Sequence, residues 1–202
     1  MRAKPDWQLW QQKITFCGVD EVGRGALAGP VVAAAVVLPP FTTIPGVKDS
    51  KQLTPKIREQ LFREIIKKAL AYSVGLATVK EIDRFNIRNA TFLAMTRAIK
   101  TLKIKCALAL VDGFAIPGCP LPSIGIIKGD QKSISIACAS IIAKVTRDQI
   151  MKRLHKRYPK YNFAQNKGYP TPSHKNVIAK LGPTKIHRKS FEPVRQRKML
   201  IP

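Results

Sequence analysis

The sequence predicts an α/β fold, in which a mixed β-sheet is flanked by helices and followed by a basic helical C-terminal extension. Three observations support this prediction: short apolar runs alternate with segments of helical periodicity, the first two runs are joined by a short glycine-rich connection, and the composition changes near residue 157. Strands that alternate with helices after an opening hairpin are typical of a mixed sheet covered by helices.

The chain divides into a domain over residues 1–157 and a basic extension over residues 158–202. The 202 residues suffice for one well-buried domain and an appendage, but hardly for two domains. From residue 152 onward lysine and arginine crowd together, and Glu192 is the only acid. Because proline and glycine interrupt this segment, we expect it to pack on the domain as part of a single functional unit.

The elements of the domain are predicted in order from apolar periodicity. Apolar runs over residues 14–19 and 31–38 should pair as an antiparallel hairpin, because the connection between them is short. Thr54 and Pro55 are typical of a helix start, and helical spacing continues to residue 70. The remaining predictions are a strand over 72–79, a helix over 82–102, strands over 107–111 and 124–127, and a helix over about 133–157.

The charge balance predicts a polyanionic partner. Lysine and arginine number 36 against 12 aspartate and glutamate residues, which gives a formal net charge of +24. Such a surface attracts nucleic acid and repels copies of itself, so we expect a monomer that binds nucleic acid. The longest apolar run is too short to span a bilayer, and the N-terminus lacks a signal-peptide core, so we expect a cytoplasmic protein with no membrane partner. The four cysteines lack zinc-site spacing, which favours reduced thiols.

Four carboxylates follow the predicted strands. Asp20 and Glu21 follow the first strand, Asp112 follows the run over 107–111, and Asp130 follows the run over 124–127. Ligands of sheet proteins bind at the carboxyl ends of strands, so these side chains should converge there. Oxygen ligands favour Mg²⁺ or Mn²⁺ over zinc, and a pair of such cations is a recurring device for phosphodiester hydrolysis.

Taken singly, some of these acids have a simpler interpretation. Asp112 alone fits a turn residue, and Asp130 alone fits the cap of the helix that follows. The adjacent pair of Asp20 and Glu21 is harder to explain in this way, because a turn needs at most one of them. Asp148, on the last predicted helix, should pair with nearby basic side chains on the surface.

Substrate contacts are predicted in two glycine-containing segments. Gly23, Arg24 and Gly25 should form a turn, in which glycine lets the backbone approach a sugar or phosphate and Arg24 offers a forked donor. Tyr169 could stack on a base or ribose, although a half-buried packing role fits it equally well.

Several cationic residues near these segments are suited to contact phosphate groups. Lys48, Lys51, Lys128 and Lys132 are candidates, with Ser50 in the same loop as the first two, although a solvated surface role is simpler for any single lysine. We expect the three histidines to lie on the surface or to contact phosphate, because they lack metal-site spacing: His155, His174 and His187.

Short motifs in order along nearly the whole chain carry a family resemblance. They lie at residues 18–25, 29–31, 49–51, 111–113, 128–130, 136–148 and 167–169. This set resembles the bacterial ribonuclease HII family, the type 2 ribonucleases H. The resemblance implies a ribonuclease H-like fold and an endoribonuclease that hydrolyses the RNA strand of RNA–DNA hybrids. It also implies incision of DNA 5′ to embedded single ribonucleotides, leaving 3′-hydroxyl and 5′-phosphate ends.

The resemblance further implies roles for individual residues. Two-metal-ion catalysis with Mg²⁺ or Mn²⁺ would use four carboxylates: Asp20, Glu21, Asp112 and Asp130. A reader of the ribonucleotide–deoxyribonucleotide junction would be formed by Gly23, Arg24, Gly25 and Tyr169, with Lys48, Ser50, Lys51 and Lys128 as further substrate contacts.

Two other functions stay open on the residues alone. A non-catalytic basic nucleic-acid-binding protein would explain the charge, but its four carboxylates would repel a phosphate backbone unless metals lay between them. A nuclease of the same fold with another substrate, such as a junction resolvase, would cut an all-DNA substrate as well as a ribonucleotide-containing one.

Overall fold

A five-stranded mixed sheet forms the centre of the computed structural model, which describes residues 5–47 and 53–195. Its strands are β1 (Phe16–Val22), β2 (Val31–Val37), β3 (Ala71–Ala77), β4 (Leu108–Asp112) and β5 (Ser123–Ile126). Their order in the sheet is β3-β2-β1-β4-β5. β2 pairs antiparallel with both β1 and β3, whereas β4 pairs parallel with β1 and β5. The predicted α/β fold and the predicted hairpin are confirmed.

Seven α-helices complete the described part of the chain. They are α1 (Pro5–Gln11), α2 (Pro55–Lys68), α3 (Val79–Lys100), α4 (Gly129–Lys132), α5 (Ile134–Arg157), α6 (Phe163–Asn166) and α7 (Pro172–Leu181), with a 3₁₀ helix at Pro159–Tyr161. Thr54 caps α2 by accepting a hydrogen bond from the Ile57 amide at 3.3 Å, as its sequence predicts. None of these helices is long and apolar enough to cross a membrane.

Apolar side chains cover both faces of the sheet. α5 and α2 pack on one face, where Phe16, Val36 and Leu110 are buried against them. α3 packs on the other face, against alternate residues of the same strands, including Cys17 and Val111. Because successive strand residues point to opposite faces, this pattern produces a buried central sheet between two helical layers.

The structure adds a helix at the N-terminus that was not predicted and differs from the sequence prediction in other details. The polar N-terminus forms α1, whose Asp6 accepts a hydrogen bond from the Ser135 amide at the start of α5, at 2.9 Å. The helix predicted over 82–102 begins at Val79 and is broken at Asn86, which has φ +66° and ψ +167°. The last acid before α5, Asp130, lies within α4 instead of directly after a strand. Ser133, not Asp130, provides the N-cap of α5.

The chain after α5 packs against the connection between β1 and β2. The Leu27 amide donates to the Gly168 carbonyl at 2.7 Å, and the Arg188 amide donates to the Leu27 carbonyl at 2.8 Å. Ala28 and His187 form an isolated antiparallel bridge. Apolar side chains from the two segments share one small core, which includes Leu27, Ala28, Met151, Phe163 and Ile178. The division of the chain at residue 157 stays a prediction, but these contacts place the later segment beside the residues that follow β1.

Candidate active site

Three of the four predicted carboxylates lie at one edge of the sheet. Asp20 and Glu21 lie near the carboxyl end of β1, and Asp112 is the last residue of β4. The parallel register pairs Val19 with Val111, so Asp20 and Asp112 each follow a paired residue on neighbouring strands. The structure therefore brings together acids that are about ninety residues apart in the sequence, as the ends of parallel strands require.

Asp20 is buried without a cationic partner. Its exposed fraction is 5%, and none of the ion pairs in the described part of the chain involves it. It accepts hydrogen bonds from the Glu21 amide at 2.6 Å and from the Ser140 hydroxyl. Burial raises the pKa of Asp20 well above its ordinary value, and repulsion from Glu21 and Asp112 raises this pKa further. Within the described residues, the charge of Asp20 is therefore not offset by an ion pair.

Glu21 is partly neutralised by the turn that follows β1. Arg24 donates to the Glu21 carboxylate at 3.2 Å. Burial nevertheless raises the pKa of Glu21, because the favourable contact with Arg24 does not fully offset the loss of water. Arg24 keeps about half of its side chain exposed, at 53%, so it lies at the boundary between the buried acids and solvent.

Asp112 connects the edge of the sheet to the fourth acid. Its carboxylate accepts a hydrogen bond from the Gly129 amide at 2.7 Å, which fixes the start of α4 beside the end of β4. Asp130 is the next residue and is half-buried. The prediction that Asp130 directly follows a strand is thus wrong. Lys128, which has a left-handed backbone conformation, and the start of α4 lie between β5 and Asp130. Because Gly129 is bonded to Asp112, the following residue, Asp130, still lies near the acid at the end of β4.

The donor set fits a hard divalent cation. It consists of carboxylate oxygens, one of them deeply buried and repelled by its neighbours, which is the situation that an oxygen-liganded Mg²⁺ or Mn²⁺ relieves. Within residues 5–47 and 53–195, no three acidic, histidine or cysteine side chains are already gathered closely enough to enclose an ion. Arg24 and the Gly129 amide hold two of the carboxylates.

The turn after β1 is defined by residues Gly23–Gly25, and its two glycines serve different purposes. Gly23 has φ +96°, and a Cβ atom there would lie 2.1 Å from the Nε atom of Arg147. The fold therefore requires glycine at this position. Gly25 is exposed, lies outside the left-handed region, and a Cβ atom there would meet nothing within 4 Å. The packing of the described chain thus leaves the space beside Gly25 open.

Tyr169 lies on the loop beside this turn. The Arg147 guanidinium carbon is 5.4 Å from the centre of the Tyr169 ring. Arg147 also donates to the carbonyls of Ala28 at 3.1 Å, Pro30 at 2.9 Å and Lys167 at 2.9 Å. One buried guanidinium therefore links the β1–β2 connection to the loop that carries Tyr169. The ring is half-buried, so one part packs against Arg147 and another part can contact a ligand.

The predicted phosphate contacts fall into two groups. Lys128 and Lys132 are exposed at the two ends of α4, close to Asp130 in the sequence. Lys48, Ser50 and Lys51 lie outside the described residues, so their predicted contacts stay predictions.

The prediction of surface positions is wrong for two of the histidines. His174 and His187 are each 1% exposed, and their Nε2 atoms are 3.1 Å apart. Nδ1 of His174 lies 2.9 Å from the Tyr169 carbonyl, and Nδ1 of His187 accepts from the Thr184 amide at 2.9 Å. Burial lowers the pKa of both rings, that of His187 to about 4. These neutral rings pack beneath the surface and support the Tyr169 loop through the contact of His174 with the Tyr169 carbonyl, instead of contacting phosphate.

Sequence reasoning also missed two fully buried arginines, Arg147 and Arg188, each with 0% exposure. The run of residues 187–191 is conspicuous in the sequence, but nothing in it indicates burial. Asp148, by contrast, pairs with Lys144 at 2.8 Å and with Arg58 at 3.5 Å, and this confirms its predicted role as a partner of basic side chains.

Comparisons with known proteins identify relatives of this chain. The family model described as ribonuclease HII matches residues 17–194. Ribonuclease HII of Caldicellulosiruptor bescii is 57% identical over 87% of this chain and 85% of its own length. Ribonuclease HII of Caldanaerobacter subterraneus subsp. tengcongensis is 50% identical over 91% of this chain and 77% of its own length.

Solved structures show the same fold. The crystal structure of ribonuclease H2 from Pyrococcus horikoshii OT3 is 32% identical, with a TM-score of 0.78 over 93% of this chain and 98% of that one. Ribonuclease HII of Archaeoglobus fulgidus, solved in complex with PCNA, is 27% identical, with a TM-score of 0.73 over 89% of this chain and 96% of that one. Bst-RNase HIII, solved in complex with Mn²⁺, is 18% identical, with a TM-score of 0.69 over 98% of this chain and 74% of that one, and shows similarity of fold alone.

Proposed function

Since this chain belongs to the ribonuclease HII family and is a metal-dependent endoribonuclease with RNase H activity on RNA–DNA hybrids, we propose that it also incises DNA 5′ to single embedded ribonucleotides. The products would carry 3′-hydroxyl and 5′-phosphate ends. The observation that carries this proposal is the position of the Gly23–Gly25 turn, which directly follows the two acids at the end of β1. A non-catalytic nucleic-acid binder, the first alternative, does not agree with membership of an enzyme family.

The catalytic part of the proposal assigns four metal ligands. Asp20, Glu21, Asp112 and Asp130 would hold two Mg²⁺ or Mn²⁺ ions, for which the buried and uncompensated charge of Asp20 provides the support. When bound, such a pair activates a water molecule and stabilises the leaving oxygen of a phosphodiester. Ser140 and the Glu21 amide, which already bond Asp20, would keep that carboxylate in one orientation.

The recognition part of the proposal assigns contact with the sugar to the backbone at Gly25 and to the ring of Tyr169. The open surface at Gly25 lets the chain approach a ribose closely enough to sense its 2′-hydroxyl, which is the group that distinguishes RNA from DNA. Arg24 offers a forked donor to a neighbouring phosphate. Tyr169 would stack on the deoxyribose that follows the ribonucleotide. Because Arg147 links the two segments, these contacts can be made by one rigid surface.

Cleavage of three matched duplexes tests the proposal. One contains a single ribonucleotide within DNA, one is a uniform RNA–DNA hybrid, and one is all DNA. With Mg²⁺ or Mn²⁺, we expect the first two to be cut and the third to stay intact, with the single cut on the 5′ side of the ribonucleotide. An intact single-ribonucleotide duplex would contradict the proposal, and cleavage of the all-DNA duplex would favour the resolvase-like alternative.

Substitution of the acids tests the metal assignment. Asp20→Asn and Asp112→Asn should each lower cleavage by about a thousandfold or more, because several kcal/mol of charge stabilisation by a cation is lost, while affinity for the hybrid is largely kept. Asp148→Asn is the matched control, since Asp148 pairs with Lys144 and Arg58 instead.

A second measurement separates metal binding from folding. Mg²⁺ should raise the thermal midpoint of the wild type but not that of Asp20→Asn. Without a divalent cation, Asp20→Asn should be at least as stable as the wild type, because it removes a buried charge that its neighbours repel. Cleavage by either Asn variant at the wild-type rate would refute the assignment.

A further inference from the structure

Arg188 is fully buried, and within the described residues its guanidinium donates only to backbone carbonyls of the segment after β1, while its central carbon lies 5.0 Å from the centre of the Phe191 ring. It donates to Gly23 at 2.6 Å, to Arg24 at 2.7 Å, and to Gly29 at 2.9 and 3.1 Å. In the described part of the chain, no carboxylate forms an ion pair with it. Removing a guanidinium from water without a counter-ion is unfavourable, and the carbonyl dipoles must offset this loss of hydration. A cation in so costly a place calls for an explanation beyond filling space.

The hydrogen bonds of Arg188 fix the direction of two peptide planes. The carbonyls of Gly23 and Arg24 point toward the guanidinium. Because a trans peptide is planar, the amides of Arg24 and Gly25 in those same planes point to the opposite side. Neither amide donates to any other residue that the structure describes. Arg188 thus sets the direction in which two available donors face, at the exposed end of the turn.

Arg188 is itself held firmly on both sides along the chain. Its own amide donates to the Leu27 carbonyl at 2.8 Å. Asp83, at the start of α3, accepts from the amides of Lys189 and Ser190, each at 3.0 Å, and from the Ser190 hydroxyl at 2.6 Å. The guanidinium is therefore anchored to the sheet connection and to a helix of the main body, so it can transmit a fixed position to the turn.

We propose that Arg188 is a positioning residue for recognition of the ribonucleotide, because its guanidinium holds the Gly23–Gly25 turn with the Arg24 and Gly25 amides facing the substrate. The inference rests on the proposed function, in which this turn reads the 2′-hydroxyl. It gives the basic C-terminal segment a role in substrate choice, besides the general attraction that its charge provides. A residue that only stabilised the fold would affect both substrates equally.

Arg188→Lys tests this role, because lysine keeps the buried charge but cannot reach three carbonyls with a forked geometry. We expect the ratio of kcat/KM for the single-ribonucleotide duplex to that for the uniform hybrid to fall about tenfold or more, since displacement of a positioning group by about 1 Å costs that much or more. Cleavage of the hybrid should keep its dependence on Mg²⁺.

Tyr161→Phe is the matched control for stability. Its hydroxyl donates to the Gly182 carbonyl at 2.6 Å, a contact within the same C-terminal segment. It should lower the thermal midpoint without changing the ratio of the two substrates. If Arg188→Lys fails to fold, Asp83→Ala provides the test, since it removes three hydrogen bonds that anchor the chain beside Arg188 at a half-buried position. A fall in the ratio by several-fold is then expected.

The outcomes separate the inference from the function on which it rests. A wild-type enzyme that fails to cut the single-ribonucleotide duplex overturns the proposed function. A wild-type enzyme that cuts it, together with a folded Arg188→Lys variant of unchanged substrate ratio, overturns the positioning role alone. An unchanged ratio in Asp83→Ala, where that variant serves as the test, overturns it as well.

Discussion

Alanine substitution of the two turn glycines should separate folding from recognition. Gly23 and Gly25 are two residues apart, yet the structure gives them opposite environments. At Gly23 a Cβ atom would lie 2.1 Å from Arg147 Nε and 2.7 Å from its Cδ atom, and the backbone has φ +96°. At Gly25 a Cβ atom would meet nothing within 4 Å. A single added methyl group is therefore a structural perturbation at one position and a purely surface perturbation at the other.

The expected effects on stability follow from these distances. Gly25→Ala should change the free energy of unfolding by no more than about 0.5–1 kcal/mol, and in the stabilising direction, because the unfolded chain loses freedom. Gly23→Ala should cost about 3 kcal/mol or more, since it combines a disfavoured φ with displacement of a buried guanidinium that makes charge-assisted hydrogen bonds. For a chain of this size, that loss corresponds to a fall of roughly 6–12 °C in the thermal midpoint.

For Gly25→Ala, we expect a large effect on activity although its effect on stability is small. Gly25→Ala should lower kcat/KM for the single-ribonucleotide duplex by about 10- to 100-fold, because its methyl group occupies the space through which the ribose approaches, and a lost hydroxyl contact costs roughly 1–3 kcal/mol. Cleavage of a uniform hybrid should fall less. The assay pairs thermal unfolding with steady-state cleavage of both duplexes at one salt concentration. A Gly25→Ala enzyme with wild-type selectivity, or one that unfolds as readily as Gly23→Ala, would refute the division of roles.

Two further predictions concern the Tyr169 loop and its support. Tyr169→Ala should reduce cleavage at a single ribonucleotide more than cleavage of a uniform hybrid, with Tyr169→Phe as a control that keeps the ring; equal losses on the two duplexes would contradict the junction-reading role. The thermal midpoint should fall as pH decreases from about 6.5 to about 4, because the unfolded chain protonates the imidazole of His187 while burial keeps its pKa at about 4 in the folded protein. The full lowering of the His187 pKa corresponds to about 3 kcal/mol of unfolding free energy. A thermal midpoint that stays constant over this pH interval would argue against a buried, neutral His187.

The sheet and its long helices could be predicted because their signals are local. The apolar run at residues 31–38 has every side chain of β2 buried, and a short connection to β1 leaves antiparallel pairing as the simplest arrangement. Thr54 and Pro55 determine the start of α2 through their own cap and backbone. The pair of Asp20 and Glu21 was recognisable because two adjacent acids at the end of a buried strand have few structural explanations.

The support of the recognition surface could not be predicted, because it depends on contacts between distant residues. Arg147 and Arg188 look like two of many surface cations in a strongly basic chain, and no local pattern distinguishes a guanidinium that will be buried. His174 and His187 are thirteen residues apart, and their contact exists only because α7 and the following segment fold back on each other. The helical turn around Asp130 was missed because four residues carry too little periodicity to be detected.

The candidate site thus consists of two parts with separate supports. Its acids are held by strand ends and by donors of the domain, such as Ser140 and the Gly129 amide. Its turn is held by the Arg188 guanidinium of the C-terminal segment, and Arg147 of α5 holds the connection that follows the turn. Loss of an acid should therefore abolish turnover on every substrate, whereas loss of a guanidinium should change which substrate is preferred. Because the hydrogen bonds of Arg188 reach the turn and none of the acids, we expect its substitution to alter selectivity without loss of the chemistry.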